Sequence, residues 1–255
     1  MPDMLLYLLG GLSAGLLGGY LGLGGGEIMV PFLTIVAGVD IKTAVPVSVA
    51  AIVVNSISAS NEYLRRGMVD LELVVVLGLF LVMGNITGSN LNLVVPADSI
   101  KLLLTILLVY TSFSLLKGRK APKQLVFADN RTKYLLLCLL LAFGVGTLAA
   151  LVGLGGGVFL IPILYLIIGL PLSTARGTSS LMICFASASA TAVYFFHDMI
   201  DLSIASPVIV GIALGGKVGG FFGTVARPVV IRALFFVAML YLAYELASEP
   251  LEKLL

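Results

Sequence analysis

Charge is what this chain has least of. Acidic and basic side chains make up 11% of its 255 residues, where a water-soluble domain carries about 25%. Hydrophobic residues make up 60%, and the mean hydropathy is +1.14. A soluble globule is excluded, and the chain reads as an integral membrane protein. Cysteine is scarce as well: Cys138 and Cys184 stand alone in apolar segments, so neither a disulfide framework nor a metal site is expected and both read as packing residues. His197 is the single histidine. Without a second histidine, paired intramembrane carboxylates or a Ser/His/Asp spacing, enzymatic chemistry has nothing to stand on, and no cofactor is called for. Ten-residue alternating strands are missing too, which removes a β-barrel and leaves an all-α fold.

What the chain does have is a copy of itself. Gly22-Leu23-Gly24-Gly25-Gly26 returns as Gly153-Leu154-Gly155-Gly156-Gly157, and Pro31 and Pro162 follow each run at the same distance. A shift of 131 positions also matches Leu33 with Leu164, Thr43-Ala44 with Thr174-Ala175, Ser48 with Ser179, Tyr63 with Tyr194, and Asp70-Leu71 with Asp201-Leu202. Two hydrophobic units, each interrupted by glycines, point to a transporter whose substrate sits where the interruptions meet.

Polar and turn residues divide the first copy into segments near 4–21, 26–37, 43–64, 69–93 and 99–117, and the second into 134–152, 157–168, 174–196, 202–224 and 229–247. The expected organisation is a first membrane repeat over 1–117, a basic linker over 118–133 and a second repeat over 134–255. The second segment of each copy is too short for a comfortable crossing of about 30 Å and reads as a re-entrant half-helix or a short tilted helix. Met1-Pro2-Asp3-Met4 lacks the basic region of a secretory signal, so the first segment is expected to persist in the mature chain.

Five segments per copy make the second copy enter the membrane from the opposite side. The basic residues test this: with the linker inside, eleven lysines and arginines lie near the cytoplasm and three outside, with Lys217 inside a span. An even number of spans per copy gives a weaker bias, so the positive-inside rule favours inverted repeats with both termini outside.

The glycine triplets break their helices, at about 1 kcal/mol per glycine relative to alanine. In lipid the exposed backbone must line a cavity or pack against protein. Helix N-termini at Gly24, Gly25, Gly26 and at Gly155, Gly156, Gly157 would suit an anion, although the same glycines also serve close helix packing. Asn55, Thr178 and Ser179 are the preferred uncharged ligands, while serines in this region also bond back to their own helices. Lys217 either attracts an anion or snorkels to the headgroups. Glu27 follows the first triplet and is Val158 in the second; uptake of a proton, pairing with a cation and stabilisation of a helix start are all open for it. His197, beside Asp198 and Asp201, reads as an interface residue.

The duplicated Gly-Leu-Gly-Gly-Gly-x4-Pro, with Thr174-Ala175-Arg176-Gly177-Thr178-Ser179 after the second copy, resembles the sulfite exporter TauE/SafE family over about residues 4–247. The resemblance implies a plasma-membrane transporter that exports sulfite, sulfoacetate or another small sulfur-containing anion. It carries over Gly22 to Gly26, Gly153 to Gly157, Pro31, Pro162 and Ala175 to Ser179; the first copy departs from it at Val45-Pro46-Val47-Ser48. The partners expected are the lipid bilayer and the anion, with a homo-oligomer left open and no nucleic acid. An anion channel and a membrane component of a sulfur-metabolism complex remain as alternatives.

Overall fold

A computed structural model describes residues 2–116, 131–225, 236 and 240–246. The expected linker residues 118–130 lie outside the described residues, as do Arg227, Arg232, Lys253 and most of the expected segment 229–247. The described residues form helices joined by short turns, without a strand: α1 (Pro2–Leu21), α2 (Gly26–Pro31), α3 (Ile41–Arg65), α4 (Leu71–Val94), α5 (Ala97–Leu116), α6 (Arg131–Val152), α7 (Gly157–Pro162), α8 (Leu172–Phe196) and α9 (Leu202–Val225). Helix α6 begins at Arg131, three residues before the boundary expected at 134.

Six of these helices are long and apolar enough to cross a membrane, and the chain is a multi-pass membrane protein. Its burial pattern is that of a lipid-solvated body. Val75, Leu79, Met83 and Ile86 form an exposed apolar stripe along α4, whereas Ser48, Asn55, Ser56, Thr178 and Ser179 are buried. In lipid the outer surface needs no polar coat, and polar groups find their partners inside.

Local chemistry sets the helix starts. Asp40 accepts from the Lys42 amide at 2.9 Å, and Asp70 accepts from the Leu73 amide at 3.1 Å, capping α3 and α4. Asp201 accepts from the Ser203 hydroxyl and amide at the start of α9, and these bonds hold its carboxyl below the usual carboxylate range.

The prolines act in a way the sequence pattern did not indicate. Pro31 and Pro162 do not end their helices; each hands over to a π-helical turn, Phe32–Val36 and Ile163–Ile167. Proline has no amide hydrogen and crowds the carbonyl four residues back. The widened turn lies just after the proline, where the Ala37 amide bonds to Phe32 O at 3.1 Å, five residues back. The helical run Gly26–Val36 is then about 16 Å long, roughly half a bilayer core.

Glycines govern how the long helices pair. Gly11, Gly15 and Gly19 of α1 face the backbones of Val208, Ile212 and Gly216, while Gly211, Gly215 and Gly219 of α9 face Leu8, Leu12 and Leu16. Both series rise together, so α1 and α9 run parallel with backbones in close contact. Gly84 and Gly88 of α4 meet Phe143 and Thr147 of α6 in the same sense. The 131-residue shift carries α1 with α9 onto α6 with α4, and α3 with α9 onto α8 with α4; these are among the most extensive pairings in the molecule. Helices α3 and α8, equivalent under the shift, pair with each other. Tyr63 meets Gly177 and the Ser56 carbonyl meets Ser180, so they run antiparallel.

Candidate functional site

Both glycine runs reverse the chain through left-handed backbone. Gly25 (φ 93°) and Gly156 (φ 84°) cap α2 and α7 in that conformation, with no side-chain cap at either start. A side chain there would be strained, which is the local reason for glycine. The runs then meet. A Cβ on Gly157 would lie 2.5 Å from Leu23 Cα, 2.8 Å from Leu23 O and 2.9 Å from Gly22 O. Gly26 is set against the Gly153 carbonyl in the same way. Ile52 and Ile183, equivalent residues midway along the 25-residue helices α3 and α8, both pack on Gly24. The junction therefore sits near mid-height of the bundle, backbone against backbone.

Asn55 ties the first break in place. Its Nδ2 donates to Gly24 O at 2.6 Å, and its side chain packs against Gly216 of α9. Its Oδ1 is buried without a partner, as are both carboxylate oxygens of Glu27 and the hydroxyls of Ser56 and Ser179. Buried polar atoms of this kind are uncommon in native structures. Those of Glu27 and Asn55 belong to the first break, and Asn92 Oδ1 on α4 is another such atom. Thr178 is turned elsewhere: its hydroxyl accepts from the Asp70 amide at 2.9 Å, joining α8 to the start of α4. Lys217 is exposed and does not face the glycine junction.

Ser48 and Ser179, equivalent under the repeat, differ in their partners. Ser48 Oγ donates to Gly153 O at 3.0 Å and locks α3 onto the second break, whereas Ser179 Oγ has no partner. Ser48→Ala is expected to lower stability by about 1–2 kcal/mol by leaving a buried carbonyl short of a donor. Ser179→Ala removes an unpaired hydroxyl and is expected to leave stability unchanged or slightly raised. Thermal unfolding of the two purified variants checks the difference.

A cavity of about 510 Å³ opens between α3, α8 and α9. Ser58, Asn61, Glu62 and Arg65 line it from one face of α3, with Lys217 opposite on α9 and Leu181 and Cys184 on α8. Of these, Lys217 is the residue that the sequence marks as a candidate ligand. The others were readable in their i, i+3, i+4, i+7 spacing, the signature of a polar stripe on one helix face. Arg176, one of the eleven basic residues counted near the cytoplasm, is only 7% exposed, with its Cβ and backbone against Gly22.

Comparison with known proteins points one way. A family model described as Sulfite exporter TauE/SafE matches residues 7–246. The chain is 24% identical over 229 residues, 88% of its length and 91% of the relative's, to a protein of Bacillus subtilis named probable membrane transporter protein YdhB. It is 30% identical over 219 residues, 83% of either chain, to a probable membrane transporter protein of Xylella fastidiosa. A stretch of 93 residues, 36% of this chain and 21% of the relative, is 34% identical to Sulfite exporter TauE/SafE family protein 5 of Arabidopsis thaliana. No solved structure matches.

Proposed function

The chain belongs to the sulfite exporter TauE/SafE family, is a membrane transporter and not an enzyme, and on that premise we propose that it exports a small sulfur-containing anion, sulfite or an organosulfonate such as sulfoacetate, by alternating access. The observation that carries this reading is the junction of two glycine breaks near mid-height of the bundle, held by Asn55, whose Oδ1 is buried and unpaired. In this reading the backbone contact between Gly22-Leu23 and Gly157 is the closed position of the site. The two halves part to admit the anion between the amides of Gly24–Gly26 and Gly155–Gly157, with Asn55 and Ser179 beside it. The antiparallel pairing of the equivalent helices α3 and α8 supports inverted repeats. The distribution of basic residues supports a plasma-membrane orientation with the linker cytoplasmic and both termini outside.

A cell interior that is electrically negative drives anion exit by about 2.3 kcal/mol per charge per 100 mV. Export then needs no coupling ion. Glu27 offers a proton-coupled version, because its carboxyl is buried at the break and unpaired. The test is efflux from proteoliposomes loaded with sulfite, sulfoacetate, thiosulfate or sulfate under an imposed potential of either sign. One anion is expected to leave at a rate that follows the potential. Failure of all four with correctly inserted protein would remove the substrate class. Glu27→Gln with an unchanged pH profile would remove coupling through this residue alone.

A further inference from the structure

We infer that the cavity between α3, α8 and α9 is a capture site for a small oxyanion, separate from the glycine junction, with Arg65 and Lys217 as its attracting charges. The inference takes the anionic nature of the ligand from the transport reading above, and its geometry stands apart from that reading. Two cations, one carboxylate, an amide and two hydroxyls, those of Ser58 and Ser60, surround about 510 Å³, ample for a sulfonate or sulfite with part of its water. The net charge of the lining is positive, and a recess walled by apolar Ile57, Leu64 and Leu181 strengthens that field relative to open water. Glu62 keeps the attraction modest, so a captured anion can leave.

Duplication supplies the control. The 131-residue shift carries Arg65 onto Phe196, Lys217 onto Ile86, Asn61 onto Ala192 and Glu62 onto Val193, while Ser58 and Ser60 become Ser189 and Thr191. Both copies keep these hydroxyls, each bonded back to a carbonyl of its own helix. Every ionisable or amide group in the lining belongs to one copy alone. The positive-inside bias accounts for a basic residue at the end of α3, but not for Lys217 within a span or for Asn61 and Glu62, so the set is assigned to the space that it lines.

Snorkelling accounts poorly for Lys217. Helix α9 continues for eight residues beyond it to Val225, about 12 Å of rise, and the lysine is turned toward the recess that Arg65 also lines. The recess is also one residue removed from the site at the break. Lys217 follows Gly216, which packs directly on Asn55, and Asn55 bonds to Gly24. Along the chain, then, Lys217 connects to the first break through Gly216 and Asn55.

The test uses a reporter thiol. Ala213 lies on the cavity wall, so Ala213→Cys is made in full-length protein with Cys138 and Cys184 replaced by alanine, reconstituted in phosphatidylcholine nanodiscs. Its reaction is timed with an ethyl thiosulfonate carrying a sulfonate and with the matching trimethylammonium reagent. The anionic reagent is expected to react about tenfold faster after correction for intrinsic rates, by electrostatic focusing. That preference is expected to fall to near parity in Lys217→Ala and in Arg65→Ala, to rise in Glu62→Gln, and to be suppressed by about 10 mM ethanesulfonate, far above a weak-site dissociation constant. Should Ala213→Cys fail to fold, Ser58→Cys reports from the opposite wall.

No preference in the parent, or a preference untouched by removal of either cation, overturns the inference. Protection by phosphatidylglycerol with none by ethanesulfonate also overturns it, in favour of a lipid headgroup. Efflux from proteoliposomes holding the same variants keeps the two readings apart. Intact capture without transport of any sulfur anion sinks the transport reading alone, and transport without capture sinks this one.

Discussion

Replacing Gly157 with alanine is expected to abolish transport and to cost about 3 kcal/mol of stability, the upper end of what overpacking does. The reason is the nature of the obstacle. The new methyl would meet Leu23 Cα at 2.5 Å and the carbonyl oxygens of Leu23 and Gly22 at 2.8 and 2.9 Å, and backbone cannot swing aside as a flexible side chain can. Gly169→Ala is the matched control, since it tests backbone strain without crowding. Gly169 has φ 85°, and a methyl added there would have nothing within 4 Å, so alanine is expected to cost only the left-handed penalty of about 1–2 kcal/mol and to leave transport intact. Thermal unfolding in detergent, paired with efflux, reads both. Equal behaviour of the two variants would mean that the glycine breaks are not in contact in the stable protein.

That contact was partly legible in the amino-acid sequence. The repeated Gly-Leu-Gly-Gly-Gly runs located both breaks, and the segment boundaries agree with the observed helices within two or three residues, because turn residues and caps such as Asp40, Asp70 and Asp201 are local signals. The glycine spacing of α9 carried a pairing signal as well: Gly211, Gly215 and Gly219 recur every four residues, but only tertiary structure says that their partner is α1. The π-helical turns after Pro31 and Pro162 were not legible. A proline in an apolar run is equally a stop, a kink or a widened turn, and the packing around it decides.

The candidate site divides along the same line. Asn55 was identifiable as a polar residue in an apolar helix, and it does meet the first break. Thr178 looked equivalent in type, yet its partner is the Asp70 amide, a contact between residues 108 apart that no local pattern encodes. Lys217 stands out as a charge within a span, whereas nothing local marks Arg65 and Glu62 as residues that line a cavity opposite it. Residue type is visible in sequence; which of several neighbours a polar atom reaches depends on the pairing of distant helices.

Asn55→Asp gives the second large effect, and it tests what that amide does. The two side chains have nearly the same volume, and the change replaces one donor with an acceptor. Asn55 is fully buried and its Nδ2 donates to Gly24 O at 2.6 Å. A carboxylate has no hydrogen to give and would set a negative charge against a carbonyl dipole in the middle of the bundle. Removing one partner of a buried bond costs about 1–3 kcal/mol, and an uncompensated buried charge costs more, so about 3–5 kcal/mol and near-complete loss of efflux are expected at about pH 8. Lowering the pH works in the opposite direction. Once protonated, the aspartic acid is neutral and can donate to Gly24 O, so stability and efflux should recover together as the medium is made acidic. Asn55→Ala cannot recover, because it has no group to protonate; it should lose about 1–3 kcal/mol at every pH. A residue serving only the anion would behave otherwise, with weaker anion affinity in Asn55→Ala and an unfolding temperature close to that of the parent. Acid rescue of Asn55→Asp, with parallel recovery of unfolding temperature and transport, assigns the amide to holding the first glycine break in the shape on which the anion site depends.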